Sequence, residues 1–360
     1  MELRADRSEV LRVLRFQFRH FLASPQAGPP SYRVALRLAG PRAALQVDGL
    51  SRTLPDGARA TRHGLTLIFE SMLDCVPDHL FFHAGVISSG DRGMLICGPP
   101  GFGKTSLVLE LSRRGFGFLS DDYAPLALSG GLVAPFPRSV GIVAASRKAT
   151  RGLQGVSPRN RLLYDGKWLL DPEGIPGLHL AGSCRPEVVL LLGPAAEAPG
   201  KTAPRYEISV DRERAEELRR TLGEIPLRHR RGAGSSGERV FRFSLPQGKE
   251  LSSQLEAWVY ANRPFVFSMT RLFQRTGAFR PPLRIHPVAP RDGLLEMLGD
   301  LQNRRPASEG PGKARGSPAR LLLQAAALLG QASFYRFEGG SLRARTEAAA
   351  EILRGALPPP

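Results

Sequence analysis

Eight residues constrain this chain more than any others: Gly98-Pro99-Pro100-Gly101-Phe102-Gly103-Lys104-Thr105, followed by Ser106. Before them Met94–Cys97 is short and apolar, as in a buried strand. After them the pattern reads as a helix from about Lys104 to Arg114. Two arginines occupy its last turn and Gly115 stands behind it as a C-cap. Strand, glycine-rich turn and helix in this order require an α/β arrangement. The spacing G-x-x-x-x-G-K-T is that of a phosphate-binding loop. Glycines let successive backbone N–H groups face one anion, and the helix aims its positive end at the same point. Lys104 supplies a mobile charge for β- and γ-phosphates, and the Thr105 hydroxyl can hold Mg²⁺. The nucleotide-binding set is therefore Gly98, Pro99, Pro100, Gly101, Phe102, Gly103, Lys104, Thr105 and Ser106.

The next strand pattern, "FGFLS", delivers Asp121 and Asp122. In a parallel arrangement its C-terminal end lies beside the loop. A carboxylate there can bind Mg²⁺ or take a proton from an attacking hydroxyl. The other use of paired aspartates is as turn or helix caps.

The whole run "FHAGVISSGDRGMLICGPPGFGKTSLVLELSRRGFGFLSDDYAPL" resembles HPr kinase/phosphorylase and its kinase relatives. The ATP-dependent phosphoenolpyruvate carboxykinases look similar in the loop and in the acidic residues beyond it. The resemblance implies an α/β fold: a P-loop kinase core of the HPr kinase/phosphoenolpyruvate carboxykinase-like type with a mixed sheet; the residues before it read as a small N-terminal α+β region. It implies ATP and Mg²⁺, the metal being held by Thr105, Asp121 and Asp122. The implied catalytic residues are Asp121, Asp122, Lys104, His83 and Arg138. One aspartate would act as base and the other would help with metal and orientation. Asp121 is read as the base, with an exchange of the two left open. Arg138, in "PFPRSVGI", would steady the transferring phosphoryl group. The implied activity is transfer of the γ-phosphate to a serine or other hydroxyl of a small carrier protein or precursor peptide, with a homo-oligomer as the family's form. Ser106 departs from the family, which carries an acid there, so metal binding would lean on the aspartates. The alternative is a P-loop ATPase or nucleotide-binding regulatory protein without an acceptor. Against it, the apolar strand "EVVLLLG" has no acid at its end.

Four segments are expected: an N-terminal helix/hairpin region (1–78), a kinase-like core (79–300), a flexible linker (301–320) and a helix–strand–helix end (321–360) that completes the core. The first contains an amphipathic helix from Ser8 to about Ala23, a hairpin turning at Gly40–Pro41, and a helix over 65–76. "HLFFHAGVIS" reads as one strand, and 195–205 and 228–237 as exposed linkers. A helix is expected over Leu321–Gln331 and another over Thr346–Gly355.

No apolar run approaches the roughly 20 residues that span a bilayer, and the N-terminus lacks a signal-peptide core. A cytoplasmic protein without a membrane span is expected. Cys75, Cys97 and Cys184 are too scattered for a metal site or disulfide framework. Lys+Arg number 50 against 33 Asp+Glu, a net charge of +17. The arginines are spread along the whole chain, with no zinc finger, RNP motif or aromatic-interleaved basic run. Nucleic acid is therefore not expected as a partner.

Overall fold

The computed structural model describes residues 2–6, 8–22, 33–39, 42–47, 50–54, 68–69, 73, 76, 78–98, 102–144, 152–164, 166–193, 205–223, 225–230, 238–244, 255, 258, 266–272, 282–299, 301 and 318–355. In the N-terminal part, β1 (Glu2–Ala5) is followed by α1 (Ser8–Gln17) and a single 3-10 turn, Arg19–Phe21. β1 then pairs in parallel with β2 (Arg33–Ala39), and β3 (Arg42–Val47) and β4 (Leu50–Leu54) extend that sheet antiparallel. Next come β5 (His79–Phe82), β6 (Gly85–Ser89), β7 (Arg92–Cys97), α2 (Lys104–Arg113), β8 (Gly117–Ser120) and β9 (Ala124–Ala127). β10 (Val140–Val143), β11 (Arg161–Tyr164) and β12 (Lys167–Leu170) make a small antiparallel sheet, and β13 (His179–Leu180) and β14 (Arg185–Gly193) follow. β15 (Arg205–Asp211), α3 (Arg212–Leu222), β16 (Arg228–Arg230), β17 (Glu238–Ser244) and β18 (Val266–Leu272) build another antiparallel sheet, with its own core around Ile208, Leu218 and Phe241. The chain then runs through β19 (Arg284–Val288), α4 (Pro290–Gly299), α5 (Pro318–Leu329), β20 (Ser333–Glu338) and α6 (Leu342–Arg354).

A mixed seven-stranded sheet carries the centre of the molecule, in the order β13-β8-β6-β7-β14-β20-β19. β13, β8, β7, β14 and β20 run one way, and β6 and β19 run the other. Strand alternation sorts its apolar residues onto two faces. Met94, Ile96, Leu190 and Phe118 pack with Leu107, Val108 and Leu111 of α2 and Ala349, Ile352 and Leu353 of α6. Leu95, Cys97, Leu191 and Leu119 point the other way, to Leu294 and Met297 of α4 and Ala325 and Leu329 of α5. Both faces of β14 are thus covered, which is why Val188–Leu192 is apolar without a break. β7 and β8 are parallel with β6 inserted between them, so their C-terminal ends lie at the same edge of the sheet.

Several expectations need correction. "HLFFHAGVIS" is two strands in different sheets, because Ala84 N–H bonds the Phe82 carbonyl at 2.9 Å and breaks the ladder. Arg228–Arg230, read as the start of a linker, is the edge strand β16; charged residues are common on such edges. α1 ends at Gln17 rather than near Ala23. α5 begins at Pro318, inside the segment read as a flexible linker, with proline at the first helical position. Leu301, at the other end of that segment, is buried and bridges to Phe82. α6 starts at Leu342 because the Ser341 hydroxyl caps it, accepting from Ala344 N–H at 3.1 Å. Within 65–76, Ile68, Phe69 and Leu73 are helical and buried, while Val76 is exposed. The Gly40–Pro41 turn, Cys75, 195–204, 231–237 and 302–317 lie outside the described residues. Cys97 and Cys184 are buried free thiols. Among the described residues no helix is long and apolar enough to cross a membrane.

α2 lies close on β6. A Cβ at Gly85 would stand 2.4 Å from Cγ2 of the fully buried Val108. Gly85→Ala is therefore expected to lower unfolding free energy by about 1–3 kcal/mol through overpacking, read as a reduced denaturation midpoint. An unchanged midpoint would mean that α2 does not sit this close to the sheet.

Candidate active site

Two strands change sheet at the same level, and the site is built at that junction. Phe82 opposes Ala124 in the β5–β9 ladder, while Val86 opposes Ser120 in the main sheet. Residues 83–85 and 121–123 therefore face each other between the two ladders. The Ser120 hydroxyl accepts from the N–H groups of Asp122 at 3.3 Å and Tyr123 at 3.1 Å, fixing the turn that presents both aspartates.

The two carboxylates diverge. Asp121 turns to the glycine-rich loop and α2, where Thr105 Oγ1 donates to its Oδ2 at 3.4 Å. Asp122 is held by two other side chains: His83 Nδ1 lies 3.1 Å from its Oδ1, and Arg138 Nη2 donates to its Oδ2 at 2.7 Å. His83 Nδ1 also lies 3.0 Å from the Asp122 carbonyl. Arg138 lies over two aromatic rings, its Cζ 4.8 Å from the Phe69 centroid and 5.4 Å from that of Tyr123. The segment before it is tied to β8 by Phe136 N–H bonding the Leu119 carbonyl, and Ser139 N–H bonds the Gln17 carbonyl at the end of α1. Arg19 and His20, just beyond α1, both reach the buried Asp171 at 2.7 Å, which fixes the N-terminal helix beside this wall.

On the loop side, Gly98 follows β7 with φ +148°. A Cβ there would lie 2.8 Å from the Leu192 carbonyl oxygen, so only glycine fits. Gly103 caps α2 at φ +94° without the side-chain oxygen that usually sits at a helix start. Lys104 is only 8 % exposed, and its Nζ donates to the Gly98 carbonyl at 3.0 Å. Pro99, Pro100 and Gly101 lie outside the described residues. Ser106 is partly buried in the first turn of α2.

Electrostatics separates the aspartates. Asp121 is 6 % exposed; burial and the charge of Asp122 push its pKa up to about 7, against the opposing pull of Arg138, Thr105 and Lys104. For Asp122 burial acts in the same direction, but His83, Arg138 and Lys104 outweigh it and hold the carboxyl well below the usual carboxylate range. Burial disfavours the Arg138 guanidinium charge, yet Asp122 beside it more than compensates. Adjacent carboxylates driven apart in this way form a proton-accepting member and a permanently ionised one. The donor set suits a hard divalent cation: the Thr105 hydroxyl and Asp121 carboxylate are neighbouring oxygens, with Asp122 next in the chain.

The structure thus brings together His83, Lys104, Thr105, Asp121, Asp122 and Arg138, drawn from four separate segments. Trp258 is buried over α3 with its indole N–H on Glu217 at 3.2 Å. Sequence reasoning missed the aromatic wall of Phe69, Tyr123 and Phe136, although Tyr123 directly follows the aspartates. It also missed Arg345 of α6, whose Nη1 donates to the Phe102 carbonyl at 2.9 Å; a contact across 243 residues leaves no local signal.

No family model and no curated protein matches the chain. Among solved structures, the Hpr(Ser) kinase/phosphatase from Coxiella burnetii is similar at 18% identity, covering 51% of this chain and 90% of that chain, with a TM-score of 0.21. So low a score gives the likeness no weight, and the site rests on its own geometry.

The raised pKa of Asp121 has a consequence for stability. The folded protein keeps this proton up to about pH 7, whereas an unfolded aspartate releases it near about pH 4. Stability from this group is therefore present at low pH and is lost as pH rises between those values. Asp121→Asn keeps a neutral side chain throughout. In metal-free buffer it is expected to raise the thermal midpoint at about pH 8 and to leave it nearly unchanged at about pH 5. Equal shifts at both pH values would contradict the assignment.

Proposed function

We propose that the protein is an ATP-dependent kinase that transfers the γ-phosphate, with Mg²⁺, to a serine or other hydroxyl of a small protein or peptide. One observation carries the reading: a buried carboxylate with its pKa near 7, Asp121, lies 3.4 Å from the hydroxyl that follows the loop lysine. A general base works best when its pKa is close to the operating pH. A base at this place serves a nucleophile that must lose a proton next to the phosphates, which is the demand of a hydroxyl acceptor.

The residues divide the work accordingly. The loop from Gly98 to Ser106 and the start of α2 receive the phosphates, with Lys104 as their counter-charge. Thr105, Asp121 and Asp122 would hold Mg²⁺, which neutralises phosphate charge when bound. Asp121 accepts the hydroxyl proton. Asp122 stays ionised between His83 and Arg138, and this pairing fixes the turn on which Asp121 stands. Arg138, immobilised on Phe69 and Tyr123, adds positive charge at the same end of the sheet for the phosphoryl oxygens. The resemblance to HPr kinase/phosphorylase in the segment 82–126 supports a small protein or peptide as acceptor, and ATP with Mg²⁺ as the donor pair.

With Mg²⁺ and γ-labelled ATP, the protein should move label onto small proteins or peptides of its own cell extract, recovered as a phosphate ester of a hydroxyl residue. Asp121→Asn should reduce transfer by about 10²-fold or more while keeping most of the ATP affinity. Lys104→Ala should weaken both binding and transfer. Full-rate transfer by the Asp121 variant would refute the base, and unchanged ATP binding by the Lys104 variant would refute the loop.

A further inference from the structure

We infer that Arg345 is a positioning residue for the phosphate loop: it holds the Phe102 carbonyl outward, so that the Gly103 N–H points into the space where phosphate binds. The inference rests on the reading of the loop as a nucleotide site.

Arg345 stands in the first turn of α6. That helix is fixed by the Ser341 cap and by the burial of Ala349, Ile352 and Leu353 against the sheet face that also carries α2. From there its guanidinium spans two backbone carbonyls. Nε donates to Gly339 at 2.6 Å and Nη1 to Phe102 at 2.9 Å. The first bond ties the helix to its own entry turn, where Gly339 and Gly340 have φ of 68° and 76°. The second reaches the loop, 243 residues earlier in the chain.

A trans peptide is planar, with its C=O and N–H on opposite sides. Once Arg345 holds the Phe102 oxygen, the next N–H, that of Gly103, must face the other way. Gly103 is the capping residue of α2, at φ +94°, a conformation other residues adopt poorly. A cation on the carbonyl also polarises that amide, making its N–H a better donor to an anion. The charge is not cancelled locally. Glu347, two residues further along α6, is bonded to Arg343 at 2.7 Å, and Arg345 has no carboxylate partner among the described residues. Burial accordingly lowers the Arg345 pKa, consistent with a guanidinium satisfied by carbonyls alone. It thus adds positive potential beside the loop, where a polyphosphate would sit.

The test is ATP binding by calorimetry to wild type, Arg345→Ala and Arg345→Lys, with thermal midpoints and the Gly103 amide resonance followed alongside. Arg345→Ala is expected to bind ATP about tenfold more weakly, the worth of one charge-assisted hydrogen bond. Its Gly103 amide should lose most of the displacement that saturating ATP causes in wild type. Wild-type affinity and amide displacement in Arg345→Ala would overturn the inference and leave the loop reading intact. Failure of the wild type itself to bind ATP would overturn the loop reading and, with it, this one. Should Arg345→Ala melt early, Arg345→Lys decides, since one ammonium cannot span both carbonyls. A wild-type midpoint with weakened ATP binding supports the inference; undiminished ATP binding overturns it.

Discussion

Consecutive aspartates buried at the end of one strand repel each other, and the surrounding structure answers that repulsion. Asp122 is kept ionised by His83 and Arg138, while burial and the charge of Asp122 together raise the pKa of Asp121. Every element nearby takes its place from this division. β5 and β6 break at His83 to bring the imidazole to Asp122. The 134–139 segment runs back along β8 to deliver Arg138. α1 and its following turn, anchored on Asp171, close the aromatic wall on which Arg138 lies. Were the aspartates separated by one residue, strand alternation would send both to one face, and the two environments would not arise.

Much of this was legible from local sequence. The strand–loop–helix–strand run from Met94 to Asp122 is encoded in short-range signals: glycines, an apolar strand, an amphipathic helix with a glycine stop. The parallel relation of β7 and β8 follows from that run, and it alone brings Thr105 to Asp121. What the sequence concealed was non-local. The break at Ala84 depends on β9, which pairs with β5 only after the chain has passed through the glycine-rich loop and α2. β16 is three residues of Arg-His-Arg, whose strand character comes from pairing with β17 rather than from any apolar pattern. Arg345 and Phe69 could not be found, because nothing in α6 or in the buried helical residues near 69 marks them as neighbours of the loop or of Arg138.

The sheet order gives the site its stiffness. β7 and β14 lie at the middle of a seven-stranded sheet, with helices on both faces, so the loop leaves a fully packed strand. Gly98 presses directly on Leu192, and Phe102 is held from α6. The loop is thus gripped at both ends by elements that follow it far along the chain.

In the proposed function the glycine-rich loop and the aspartates form one metal–nucleotide site. Electron paramagnetic resonance of Mn²⁺, used in place of Mg²⁺, tests that most directly. With ATP present, the protein should bind about one Mn²⁺ with the altered spectrum of an immobilised ion, and Asp121→Ala with Lys104 intact should bind ATP but lose that signal. If the Asp121 variant keeps the immobilised ion unchanged, the aspartates are not part of the nucleotide site and the kinase reading fails.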